Sequence, residues 1–87
     1  MPITCRHLDE AGDPKPRTPD GCEECLAAGD DWVHLRRCLT CGHIGCCDDS
    51  QNKHATKHFH KDHHPVIQSF EPGETWKWCF KDEIFRE

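Results

Sequence analysis

Two short cysteine spacings, Cys22-x-x-Cys25 and Cys38-x-x-Cys41, constrain this chain more than any other feature. A two-residue spacer lets both sulfurs reach one ion at about 2.3 Å, the Zn–S distance, so each pair reads as half of a tetrahedral site. Half-sites need completion, and Cys46, His54, His58 and His64 follow in a dense cluster. His54 and His58 are four apart and share one face of any helix that holds them. The termini carry a second set: Cys5-x-His7 at the start, then Cys79 and, three positions later, Asp82. A metal joining them would close nearly the whole chain, where a cross-link removes most entropy from the unfolded state.

Composition shows why such cross-links are needed. The chain has 87 residues, of which 34% are hydrophobic and 31% charged. That length allows one domain, residues 1–87, and a chain so short buries too little apolar surface to rest on its core alone. Eight cysteines would suit a disulfide framework in a secreted protein, but such a framework has no use for eight histidines. The start, Met1-Pro2-Ile3-Thr4-Cys5-Arg6-His7, has no apolar stretch of the signal-peptide kind, and no segment reaches transmembrane length. The expectation is a cytoplasmic, metal-stapled monomer with no membrane partner. Net charge is −5. Binding to nucleic acid needs Lys and Arg to neutralise phosphates, so none is expected.

The elements expected around these ligands are short. Residues 9–20 contain three prolines and read as an extended loop. Asp20 and Glu23 are spaced as a capping box for a helix that Gly29 stops. Residues 32–37 and 43–46 read as strands on either side of a Cys38–Gly42 knuckle. Ser50 is placed to cap a second helix, from Gln51 to about His60, that His63-His64-Pro65 ends. Residues 66–70 and 76–80 read as two further strands, with Ile84-Phe85 opening a last one. The fold class is α+β: a small zinc-stabilised domain with a twisted, mostly antiparallel sheet and about two short helices.

The series Cys5-x-His7, Cys22-x-x-Cys25, Cys38-x-x-Cys41, Cys46, His54-x-x-x-His58, His64-Pro65, Cys79 resembles the UBP-type zinc finger. That module occurs in ubiquitin-specific proteases and in a cytoplasmic histone deacetylase, and the short form here resembles its prokaryotic members. The resemblance runs from Cys5 to about Phe85. It implies interleaved sites: Cys22, Cys25, Cys46 and His54 in one, Cys38, Cys41, His58 and His64 in another. Cys5, His7 and Cys79 belong to a third, whose fourth ligand is commonly Cys or His where this chain has Asp82. A carboxylate also ligates zinc; Glu83 or water is the alternative. Two zinc ions are the minimum and three the expectation.

The resemblance also implies a pocket for the free Gly-Gly tail of ubiquitin. Trp78 matches a pocket aromatic of the family. Phe80 and Phe85 stand where the family has Tyr, Arg36 roughly where it has Trp, and Asp48 where it has a tail-binding Arg. Arg36, Arg37 and Lys53 are candidates for a replacement cation, and Trp76 reads as core packing. Strand alternation puts Trp78 and Phe80 opposite Cys79.

Four-ligand sites leave zinc no open position, and no catalytic triad, phosphate loop or H-E-x-x-H motif is present, so no enzyme is expected. Cys47 reads as a buried, inert thiol whose pKa Asp48 and Asp49 raise. His34, His43, His60 and His63 match no ligand position and read as surface groups or partners of the ligands. The function expected is a zinc-binding protein-interaction module recognising a free C-terminal tail such as that of ubiquitin. The alternative is a structural or regulatory zinc domain, a redox sensor through Cys47, without such a pocket.

Overall fold

The sheet is built around β1 (Leu35–Cys38), which is paired on both of its sides, in a computed structural model that describes residues 4–87. Met1, Pro2 and Ile3, the first residues of the polar start, lie outside the described residues. β1 pairs with β2 (Ile44–Cys46) across a turn made by the second cysteine pair. Gly42 holds that turn at φ +83°, and a side chain there would strike the Lys15 carbonyl. Only glycine meets both demands. β3 (Val66–Ser69) returns to the other side of β1, and β4 (Lys77–Cys79) and β5 (Ile84–Arg86) follow. The order is β2-β1-β3-β4-β5, every pair antiparallel. Three short helices, α1 (Arg6–Asp9), α2 (Glu23–Ala28) and α3 (His54–Asp62), complete a small α+β domain.

Register assigns the two faces of the sheet, because residues opposite one another on neighbouring strands point the same way. Leu35, Ile44 and Cys46 share one face with Val66, Cys79 and Ile84. Two buried clusters form there. Leu35, Ile44 and Cys46 pack with Cys22 and Cys25 of the α2 region. Val66 and Cys79 pack with Cys5, Leu8 and Leu39 beside α1. Half the members of these clusters are thiols, so the core closes only if the thiols are held together.

The opposite face carries Gly45, Arg36, Ile67, Trp78 and Phe85. α3 crosses it over β2 and β1. A Cβ at Gly45 would lie 2.6 Å from the backbone nitrogen of Ala55, so a side chain there would push α3 away. The aromatic part over β3, β4 and β5 is left open. The Pro-rich segment expected as a loop is tied to the knuckle: Arg17 N–H donates to Gly42 O, and Arg37 Nη1 donates to Pro14 O at 2.7 Å.

Several local expectations change. Asp20 does not cap α2; Cys22 holds the N-cap position without a side-chain bond, and Glu23 pairs with Arg17. Gly29 ends that helix at φ 75°, as its position suggests. Ser50 does not cap α3; its hydroxyl accepts the Val33 N–H at 2.8 Å, and the helix starts at His54 after Lys53 at φ 50°. The first strand begins at Leu35 rather than at residue 32, because Trp32 turns aside to lie on Gly21. α1 was not expected, since a single turn of four residues carries no periodicity.

Substituting Gly45→Ala should therefore destabilise the metal-loaded domain by about 1–3 kcal/mol, the range for overpacking a tight contact. Urea unfolding followed by tryptophan fluorescence measures it; an unchanged midpoint would contradict the close approach of α3.

Candidate metal centre and adjoining pocket

Cys22 precedes α2, Cys25 lies within it, Cys46 ends β2 and His54 opens α3. The structure brings these four together, with His54 Nδ1 at 3.2, 3.3 and 3.5 Å from the sulfurs of Cys22, Cys25 and Cys46. A ring nitrogen offers one proton or one lone pair, so it cannot hydrogen-bond three sulfurs at once. An ion at the common centre accounts for all three contacts: tetrahedral zinc with S and N ligands has edges of about 3.3–3.8 Å.

Cys38, Cys41, His58 and His64 form a second such group where the knuckle meets the end of α3. Cys38 Sγ lies 3.4 Å from His64 Nδ1, Cys41 Sγ 3.4 Å from His58 Nε2, and the two nitrogens 3.3 Å apart. These edges fit zinc equally well. Cys5, His7, Cys79 and Asp82 form a third group that joins the two ends of the described chain. Cys79 Sγ is 3.7 Å from His7 Nδ1, a zinc-like edge. The Asp82 Oδ2 contacts, 2.9 Å to Cys5 Sγ and 3.0 Å to His7 Nδ1, are shorter. They have the length of hydrogen bonds, with the Cys5 thiol donating to the carboxylate. The donor set fits zinc, and its Asp82 edges must open on loading. Glu83 is not in this group.

Neighbours orient these ligands. Backbone N–H groups of Thr40, His54 and Asp82 donate to the sulfurs of Cys38, Cys46 and Cys79 at 3.4, 3.2 and 3.4 Å. His58 Nδ1 faces Asp62 Oδ2 at 3.3 Å, which leaves Nε2 for a metal. His43 is no surface residue: it is buried, stacked on His58 at 4.1 Å, and its Nε2 meets Glu24 Oε1 at 2.7 Å. His34, His60 and His63 are exposed.

Burial pushes the Cys22 thiol up to about 12 and also raises Cys25 and Cys38. Without metal these sulfurs keep their protons. Burial, with His43 beside it, lowers His58 to about 4, so its ring is neutral at pH 7 and free to ligate. The Cys5 thiol and His7 ring hold the Asp82 carboxyl below its usual range. Cys47 corrects an expectation. Burial pushes this thiol up, yet hydrogen bonds from the Ser50 hydroxyl and the backbone at His34, Asp49 and Ser50 outweigh that, leaving its pKa lowered.

On the sheet face opposite the buried clusters lies a cavity of about 310 Å³. Arg36, Trp78, Phe80 and Phe85, all expected in a binding site, line it together. So does Trp76, which was expected to be ordinary core packing. Phe85 is 56% exposed, and Trp76 and Phe85 pack at 5.5 Å between centroids. Phe80 stacks on Phe59 of α3 at 4.8 Å. The Arg36 guanidinium lies 4.5 Å above the Trp76 ring and donates one hydrogen bond, to Leu35 O. Arg37 points to the other face, where it pairs with Asp13 and Gln68, and Lys53 does not line the cavity. Asp48 and Asp49 sit in the cavity lining. The one sequence signal for Trp76 was its i, i+2 spacing to Trp78, which puts both on one side of an extended segment.

The family model described as the Zn-finger in ubiquitin-hydrolases and other protein matches residues 22–87. The chain is 29% identical over 82 residues to human BRCA1-associated protein, covering 94% of this chain and 12% of that protein. It is 42% identical over 48 residues to mouse ubiquitin carboxyl-terminal hydrolase 16, covering 51% of this chain and 6% of that protein. The chain thus spans a small fraction of the curated relatives it matches. The solution structure of protein RPA1320 from Rhodopseudomonas palustris is 52% identical, with a TM-score of 0.89 over 100% of this chain and 84% of that one. The chain belongs to the UBP-type zinc-finger family and is a zinc-binding domain.

Two outcomes follow for zinc uptake. Cys22 and Cys25 lie below their raised pKa values at neutral pH, so zinc must expel both protons. Affinity therefore rises with pH, and from pH 7 to pH 6 it should fall by about a hundredfold or more in a chelator-competition assay. Substituting Asp62→Ala should weaken zinc at the His58 group by about 10–100-fold in the same assay, the usual cost of losing a carboxylate behind a ligating histidine. Uptake independent of pH, or unchanged in the variant, would contradict this chemistry.

Proposed function

We propose that this UBP-type zinc finger is a protein-interaction module that receives a free peptide C-terminus in the Arg36–Trp78 cavity, with zinc as the brace that builds it. The supporting observation is the meeting of one unpaired cation with an aromatic wall. No carboxylate lies within ion-pair distance of Arg36 among the described residues. Its guanidinium is held over the Trp76 ring, a position from which N–H groups can meet a carboxylate in charge-assisted bonds. Trp78, Phe80 and Phe85 give the main chain of a tail an apolar wall. The volume is at the low end for ligand pockets, which suits the last residues of a chain rather than a folded surface.

The metal sets proposed are Cys22/Cys25/Cys46/His54, Cys38/Cys41/His58/His64 and Cys5/His7/Cys79/Asp82, one zinc each, with every zinc structural and none catalytic. The ubiquitin tail is the natural first ligand to test, since one relative is by name a ubiquitin carboxyl-terminal hydrolase.

Titration with a peptide ending in free Gly-Gly should shift Trp76 and Trp78 fluorescence, and its C-terminal amide should bind at least about tenfold more weakly. Absence of any response at millimolar acid peptide would overturn the reading. Native mass spectrometry should find three zinc ions, and two after Asp82→Ala; three retained in that variant would remove Asp82 from the ligand set.

A further inference from the structure

The cavity carries both signs of charge, and a plain Gly-Gly tail uses only one of them. Arg36 stands over Trp76, while the carboxylates of Asp48 and Asp49 also line the cavity. Asp48 is fixed there: its Oδ1 accepts the Thr56 hydroxyl of α3 at 2.5 Å, which leaves Oδ2 for a ligand. Neither aspartate pairs with a Lys or Arg among the described residues, although Asp49 shares its surroundings with His34 and Cys47. Asp48 and Asp49 are exposed at the entrance, whereas the aromatic rings are half-buried apart from Phe85. A ligand with only a carboxylate gains from Arg36 and is repelled by two acids. A ligand with only a cation meets the reverse.

From this bipolar lining we infer that the cavity selects a peptide C-terminus whose terminal or penultimate residue is lysine or arginine. The inference rests on the proposed recognition of a free C-terminus and names the tail it prefers. The α-carboxylate goes to Arg36, and the basic side chain goes to Asp48 and Asp49. The alkyl stem of that side chain lies along Trp78 and Phe80, where the ring faces also attract the cation. The small volume holds the basic residue close to the terminus, because a cation further up the chain would lie outside the cavity.

The test uses the zinc-loaded protein and three hexapeptides of one sequence except at the end: Gly-Gly acid, Gly-Lys acid and Gly-Lys amide. Fluorescence of Trp76 and Trp78 reads each titration, for the natural chain and for an Asp48→Asn/Asp49→Asn variant. Asparagine keeps an acceptor for Thr56, and a well-dispersed amide spectrum checks the variant's fold. The natural chain should bind Gly-Lys acid at least about tenfold more tightly than Gly-Gly acid, as a charge-assisted contact requires. The variant should bring that ratio close to one, and salt should shrink it in the natural chain. Equal binding of the two acids to the natural chain, or a ratio the variant leaves intact, would overturn the basic-tail inference while recognition of a C-terminus stands. Equal binding of Gly-Lys acid and amide, or no binding of any peptide to either protein, would overturn both.

Discussion

The convergence of thiols and imidazoles from distant parts of the chain into three tight groups that can each hold one ion is the constraint on which the rest of this structure depends. The buried clusters on one face of the sheet are half thiol, and thiols do not hold one another together. In the proposed sites a metal ion would convert them from weak apolar filling into cross-links between a helix, a knuckle, a strand end and a second helix. α1, α2 and the strands β2, β4 and β5 are all four or six residues long or shorter. None has the length to be stable alone. Coordination at these groups would supply what helix propensity and apolar area do not, for a chain with 34% hydrophobic residues and five paired strands.

Coordination also shapes the opposite face. β4 alternates, so with Cys79 buried towards the cluster at the termini, Trp78 must point the other way, with its neighbour Phe85 on β5. His54 and His58 anchor α3 at both of the other clusters, and Gly45 lets that helix lie close on β2. The cavity is the gap between α3 and the aromatic end of the sheet. Its walls therefore stand on elements that carry the proposed metal ligands, although none of those ligands lines it. Disturbing a ligand should reach the cavity through α3 or β4.

Much of this was legible in the residues, and the limits have physical causes. The spacings marked the two CxxC pairs, the downstream Cys/His cluster and the terminal set, because chelate geometry fixes the distance within a pair, while the division of Cys46, His54, His58 and His64 between two sites came from the family resemblance. Strand alternation around Cys79 gave the direction of Trp78. What failed was local. Asp20 and Ser50 have the chemistry of helix caps, but the Val33 N–H took the Ser50 hydroxyl, and the helices start at Glu23 and His54, after Cys22 and Lys53. His43 could not be separated from the surface histidines, since its burial between Glu24 and His58 is a product of the whole fold. The lowered Cys47 thiol depends on backbone hydrogen bonds that adjacent charges do not disclose.

The central claim is that the metal sites hold the fold, and amide NMR of the domain during zinc removal tests it most directly. On stripping with a strong chelator, confirmed by elemental analysis, the dispersed amide signals of β1, β2 and α3 should collapse together, and zinc should restore them, as in small domains whose metal binding and folding are coupled. A dispersed spectrum that persists in the metal-free protein would contradict the account.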